Sequence, residues 1–247
     1  LPKSNGWWNA LRIADLDGDG DLDIAAGNLG LNNPYHPTPE EPLRLRVADF
    51  DGNGQQDAIL TYYLQGREVP VHFRDDMRSW FLPLRKKYPN YTQYAEAGWA
   101  DLFPKQNPVT TSITSFASVW AENTESGFLV HPLPLPAQLG PIHAIEILDV
   151  NQNGQTDLVL AGNSYAPEPH TGRYDALNGV VLLRQGEHYR PCSVRESGLY
   201  LPGDQKSLVQ LQSADAGPLL IGAENNGRLR AFRLKGAGAT ASRYGGD

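Results

Sequence analysis

The chain has 247 residues, is 40% hydrophobic and 20% charged, and carries a formal net charge of −7. That balance excludes a disordered chain and leaves room for a sizeable core, and the acidity argues against nucleic acid as a partner. No apolar run approaches the roughly 18 residues of a membrane-spanning helix, so no transmembrane segment is expected, and the one cysteine, Cys192, allows no internal disulfide.

The first element is an alternating run, ALRIA, that leads into DLDGDGDLD at Asp15 to Asp23 and out through IAAGN. The same plan returns at Asp49 to Asp57, DFDGNGQQD, between LRLRVA and AILTYY, and again at Asp149 to Asp157, DVNQNGQTD, between HAIEIL and LVLAGN. All three fit D-x-[DN]-x-[DN]-G-x-x-D, and period-two alternation on both sides of a turn predicts two strands flanking each loop. Two copies end in Gly-Asn, at Gly27-Asn28 and Gly162-Asn163. Just upstream, Trp7 and Trp8 read as core, with a sugar platform as the alternative.

Between the second and third copies lies a segment of different character. Met77, Trp80, Phe81 and Leu84 fall at helical spacing, with Asp75 or Asp76 as a cap. Asn90 to Gln93 resembles a capping box ahead of Tyr94, Ala95, Trp99 and Leu102, and Pro104 stops the run. Two short helices over residues 74–104 are therefore expected as an insertion in a β frame, one whose removal spares that frame. Tyr88, Tyr91, Tyr94 and Trp99 within it read as core rather than interface. SFASVWAENTESGFLVHPL then returns to strand, turn, strand, and Leu208 to Gly227 has the rhythm of a fourth, decayed copy that keeps only Asp215 in its turn. Repeats of short antiparallel strands predict a propeller rather than a helical solenoid.

The loops have the chemistry of a cation cage. A hard dication such as Ca²⁺ takes about six to eight oxygen ligands. The first loop offers carboxylates at Asp15, Asp17, Asp19 and Asp23 and a backbone carbonyl at Asp21, with Gly20 at the sharp turn. The second offers Asp49, Asp51, Asn53, the Gln55 carbonyl and Asp57. The third offers Asp149, Asn151, Asn153, the Gln155 carbonyl and Asp157. An EF-hand is excluded, because position 12 is Ala26, Leu60 or Leu160 rather than a bidentate Glu, and strands replace the flanking helices. Mg²⁺ fits less well, since it keeps its waters. Three Ca²⁺ ions would add six positive charges and take the chain from −7 to −1, so much of the acidity belongs to the cages.

DLDGDGDLDIAAGN, DFDGNGQQDAILTYY and DVNQNGQTDLVLAGN resemble the FG-GAP or VCBS repeats of integrin-α-like β-propellers, and the resemblance covers most of the chain. GNLGLN, EEPLR, RDDM and TGRYDA add a likeness to large bacterial cell-surface proteins of this kind. The resemblance implies an all-β fold over 1–247: about four blades of a β-propeller, part of a ring of about seven, with the helical insertion inside it. It implies Ca²⁺ in the hairpin of each blade, on the residues named above, and an extracellular or outer-envelope location. The integrin-type Gly-Ala-Pro after the loop is replaced here by AGN or LTYY. A half-ring leaves unpaired edges, so the remaining blades or a partner in an envelope complex are expected to cover them.

The function expected is non-enzymatic binding of a protein or glycan at the cell surface. The alternative is a polysaccharide-acting enzyme using His72, Asp75 and Asp76 or the stretch from His170 to Asp175. No nucleophile elbow, H-E-x-x-H or phosphate loop supports catalysis.

Overall fold

A computed structural model describes residues 4–167 and 171–234. In chain order the elements are β1 (Ala10–Ala14), β2 (Asp23–Gly27), β3 (Leu43–Ala48), β4 (Asp57–Leu64), β5 (Arg67–Pro70), α1 (Arg74–Trp80), α2 (Leu82–Lys87), α3 (Tyr91–Glu96), α4 (Trp99–Leu102) and β6 (Val109–Ile113). They continue with β7 (Val119–Thr124), β8 (Gly127–Pro132), β9 (Ile142–Leu148), β10 (Asp157–Gly162), β11 (Val180–Gln185), β12 (His188–Cys192), α5 (Val194–Ser197), β13 (Gln205–Ser213), β14 (Gly217–Glu224) and β15 (Leu229–Arg233). The strands form four antiparallel sheets, ordered β1-β2-β7-β8, β6-β3-β4-β5, β9-β10-β11-β12 and β13-β14-β15. The predicted β class is what the chain adopts. The segment expected as a decayed fourth copy forms a hairpin, β13-β14, whose turn is held by the Ser213 hydroxyl accepting from Ala216 N–H.

The described residues separate into two compact units, one of residues 4–6 and 34–116, the other of 7–33 and 117–234 without 168–170. The larger unit holds three sheets. In its central one, every residue of β10 is buried, because the sheet is covered on both faces. Ile145, Leu158, Leu160 and Leu182 point to the side where Ala25 and Trp120 of the first sheet lie. Ala144, Val159, Ala161, Val181 and Leu183 point to the other side, against Leu208 and Leu220. Each such leucine or isoleucine contributes about 1.5–3 kcal/mol when fully removed from water. The lead strands β1, β9 and β13 lie side by side in succession.

The two Gly-Asn pairs set the far ends of these sheets. A Cβ on Gly162 would lie 1.7 Å from the Pro141 carbonyl oxygen, so only glycine lets β10 approach that segment. Asn163, fully buried, donates to the Leu177 and Gly203 carbonyls and accepts from Leu177 N–H. Asn28, also fully buried, accepts from Trp7 N–H and donates to the Ala117 carbonyl. Trp7 and Trp8 themselves are not core, with 46% and 37% of their surface exposed.

In the smaller unit, residues 74–104 are packed into the core, which speaks against their being removable without loss. There are four short helices, not two, and their side chains are the core. Met77, Phe81, Leu84, Tyr88, Trp99, Leu102 and Phe103 bury themselves against Phe50 and Ile59 of the sheet. Trp80, expected in that stripe, is 46% exposed, as is Tyr91 at 56%. The first helix ends at Phe81 because Pro83 lacks the N–H to continue it. Its cap is Phe73, with no side-chain bond, rather than Asp75 or Asp76. Asn90 does cap α3, accepting from Gln93 N–H at 2.9 Å. On the same face of the sheet, Glu68 accepts from Arg44, Arg46 and the Thr61 hydroxyl, and the Arg46 guanidinium lies 4.7 Å over the Trp99 ring.

His143, on β9, yields a pH prediction for the larger unit. Burial, then the Lys206 ammonium, holds the imidazole below its ordinary pKa, with the Asp204 carboxylate opposing them. A base with a depressed folded-state pKa stabilises the fold above its unfolded pKa of about 6.5 and loses that contribution as pH falls through the lowered value. The melting temperature should therefore drop as pH falls from about 6.5, and His143→Gln should flatten that drop in thermal melts. An unchanged slope would assign the acid limb elsewhere.

Candidate metal centres

The three sequence-predicted loops each span a hairpin, β1-β2, β3-β4 and β9-β10, and repeat one hydrogen-bond plan. The first-position aspartate turns inward. Asp15 accepts from Gly18 and Gly20 N–H at 2.6 and 3.1 Å, Asp49 from Gly52 and Gly54 at 2.7 and 2.8 Å, and Asp149 from Asn153 and Gly154 at 3.0 and 2.7 Å. The third position accepts from the fifth: Asp17 from Asp19 N–H, Asp51 from Asn53, Asn151 from Asn153, each at 3.1 Å. The fifth accepts from the seventh: Asp19 from Asp21, Asn53 from Gln55, Asn153 from Gln155. Gly20, Gly54 and Gly154 have φ of 98°, 86° and 82°, which is why the sixth position is glycine. The fourth position is left-handed too, in Gly18, Gly52 and also Gln152, at φ 58°.

The ninth-position aspartate closes each loop. Oδ2 of Asp23, Asp57 and Asp157 accepts from the second-position N–H, of Leu16, Phe50 and Val150, at 2.9, 3.0 and 2.9 Å. In the first and third loops the neighbouring strand takes the other oxygen. Asn123 N–H on β7 donates to Asp23 Oδ1 at 2.7 Å, and Arg184 N–H on β11 to Asp157 Oδ1 at 2.8 Å. In the second loop the corresponding strand, β5, pairs only from Thr61 onward, and among the described residues no donor reaches Asp57 Oδ1. Asp23 and Asp157 are thus fully buried clamps, whereas Asp57 keeps an oxygen for a ligand.

The carboxylates converge to different degrees. One oxygen each from Asp15, Asp17 and Asp19, and one each from Asp49, Asp51 and Asp57, lie within 4.8 Å of one another, close enough for a single cation to touch all three. Asp21 Oδ1 is buried with no hydrogen-bond partner. The third loop assembles no such trio and relies on the neutral oxygens of Asn151, Asn153 and the Gln155 carbonyl beside Asp149, with Asp157 committed to its clamp. Burial raises the pKa of Asp17, and Asp23, Asp19 and Glu122 raise it further. Asp21 is raised in the same way, by desolvation and then Asp19, Asp23 and Asp17. Asp49 is lowered, because Gly54 N–H and its neighbours hydrogen-bond the charged form. Repulsion in the first loop and an orphaned acceptor beside it are the conditions that a bound dication relieves, so the residues present fit one.

Asp75 is tied up by Arg74 and the Tyr91 hydroxyl, which lowers its pKa, and the His72 ring sits edge-on to Trp80 at 4.8 Å. His170 lies outside the described residues. Arg173 stacks over Tyr165 at 4.8 Å, and no ion pair joins it to Asp175 among the described residues. Sequence reading missed Arg184, which is 3% exposed and lies between the Trp120 and Tyr189 rings at 4.5 and 5.0 Å. Nothing in VVLLRQ distinguishes it from a surface arginine at a strand end.

No family model, curated protein or solved structure matches the chain.

The clamps rank the loop residues differently from their charge. Asp157→Ala leaves the buried Arg184 N–H and the half-buried Val150 N–H without an acceptor, at about 1–3 kcal/mol for a fully buried donor. It should cost about 2–5 kcal/mol in urea unfolding with no divalent cation present, whereas the exposed Asn153→Ala should cost under about 1 kcal/mol.

Proposed function

We propose that the chain is a Ca²⁺-stabilised, non-enzymatic β-propeller segment that presents a binding surface for a protein or glycan at a bacterial cell surface, as part of a larger propeller or envelope assembly. The observation that carries the reading is the triple repetition of one inward-facing oxygen cage on three separate hairpins. The second support is the succession of β1, β9 and β13, which is how the inner strands of consecutive blades follow one another. The resemblance to FG-GAP and VCBS repeats agrees with both. Oxygen-only donors in a flexible loop favour Ca²⁺ over softer metals.

In this reading the loop residues do structural work. Asp15, Asp17 and Asp19, or Asp49, Asp51 and Asp57, hold the ion. Asp23 and Asp157 hold the backbone that aims the others. The ion cancels the repulsion among the carboxylates and ties the two strands of the hairpin together. Ion binding to the folded state alone stabilises it by about 2.7 kcal/mol per site at a hundredfold excess over Kd. Recognition then belongs to surfaces away from the aspartates. The helical segment contributes Phe73, Trp80 and Tyr91 there, each about half exposed.

Millimolar Ca²⁺ should raise the melting temperature by several degrees and a chelator should reverse it, since about 1 kcal/mol corresponds to roughly 2–4 °C in a chain of this size. An unchanged melting curve would remove the cation from the reading. Asp51→Ala should lower the gain by removing one carboxylate from the trio with the free Asp57 oxygen.

A further inference from the structure

The first and third loops are 134 positions apart in sequence, yet they are joined. The Thr156 hydroxyl, from the residue before the closing Asp157, donates to the Asp15 backbone carbonyl at 3.2 Å. The Thr156 carbonyl in turn accepts from the Tyr189 hydroxyl at 3.3 Å. Tyr189 is 7% exposed and packs on the buried guanidinium of Arg184, the residue whose backbone N–H donates to Asp157 Oδ1. Burial of its hydroxyl pushes the Tyr189 pKa up to about 12, so it remains a donor throughout the working pH range. A continuous path thus runs from the first ligand of one cage to the last clamp of the other, through four side chains in one unit.

We infer that the first and third loops bind their cations as a coupled pair, with Thr156 as the coupling residue. The inference rests on the cation reading above. A cation in the third loop fixes the Gln155 carbonyl on one side of Thr156, while the Asp157 clamp holds the other side, and together they orient the Thr156 hydroxyl toward Asp15. An oriented donor fixes the Asp15 backbone and thereby the carboxylate that the first loop needs. Whichever loop fills first meets part of the ordering cost of the other, which is positive coupling without any large movement. The second loop lies in the other unit and has no counterpart of this bridge among the described residues, so it fills independently.

The test is calorimetric titration of the full chain with Ca²⁺ alone, in an Asp49→Ala, Asp51→Ala background that removes two of the second loop's three convergent carboxylates. Two ions should bind with the second about fivefold tighter than independent sites allow, the low end of ordinary coupling. Thr156→Val should make the two events independent, and Thr156→Ser, which keeps the hydroxyl, should preserve the coupling. Tyr189→Phe should weaken it. Melting curves establish that each variant is folded. If Thr156→Val does not fold, the Ser and Phe variants decide. Two ions binding independently in that doubly substituted parent, or coupling that survives Thr156→Val, would overturn the inference while leaving the cation reading intact. No Ca²⁺ binding in the unsubstituted chain, with no shift in its melting curve, would overturn both.

Discussion

A carboxylate clamped to a backbone amide at the end of each loop is the interaction on which the rest of the site depends. Asp23, Asp57 and Asp157 accept the amide of the residue just inside the loop entrance. Water cannot reach Asp23 or Asp157 to replace that bond, so losing it leaves a buried donor unpaired. With the entrance fixed, the chain must turn within a few residues. Left-handed φ at the fourth and sixth positions follows, and the first-position aspartate folds inward over the amides that this turn exposes. The cage is a consequence of the clamp.

The clamp also ties each cage to its sheet. In the first and third loops the second carboxylate oxygen is held by the next strand, so loop geometry and strand pairing report on each other. That arrangement suits a structural ion. It rigidifies the hairpin, but it withdraws the closing aspartate from the ligand set. The second loop makes the opposite trade. Its sheet continues on the other side, through β6, and α1 follows β5 directly, so Asp57 stays available. Three loops with one sequence pattern therefore become three different donor sets.

The smaller unit shows a second constraint. Its one sheet has to bury a face, and no second sheet within the unit covers it. The aromatic residues of the four helices do so instead, meeting Phe50 edge-on through Phe81 and Trp99 at 6.1 and 5.5 Å. Phe50 is the second residue of the loop pattern, the same residue whose amide Asp57 clamps. Helical core and candidate cation loop are thus built on one residue.

The loops, their hairpins, the glycine at each turn and the strand-turn-strand of β13 and β14 were legible in the sequence because they are local. Alternation, Asx chemistry and left-handed glycine act within about ten residues. The partition of strands among sheets was not legible. β2 pairs with β7, more than ninety positions away, and VWAENTESGFLVHP completes the first sheet rather than the second. Antiparallel pairing leaves no local mark of which distant strand will be the partner. For the same reason the roles within the cages were hidden. Composition ranks the loops by their carboxylates, but whether a closing aspartate is a ligand or a clamp depends on an amide that a remote strand does or does not bring to it. Sequence determined where the oxygens are, and only the tertiary structure decided which of them are free.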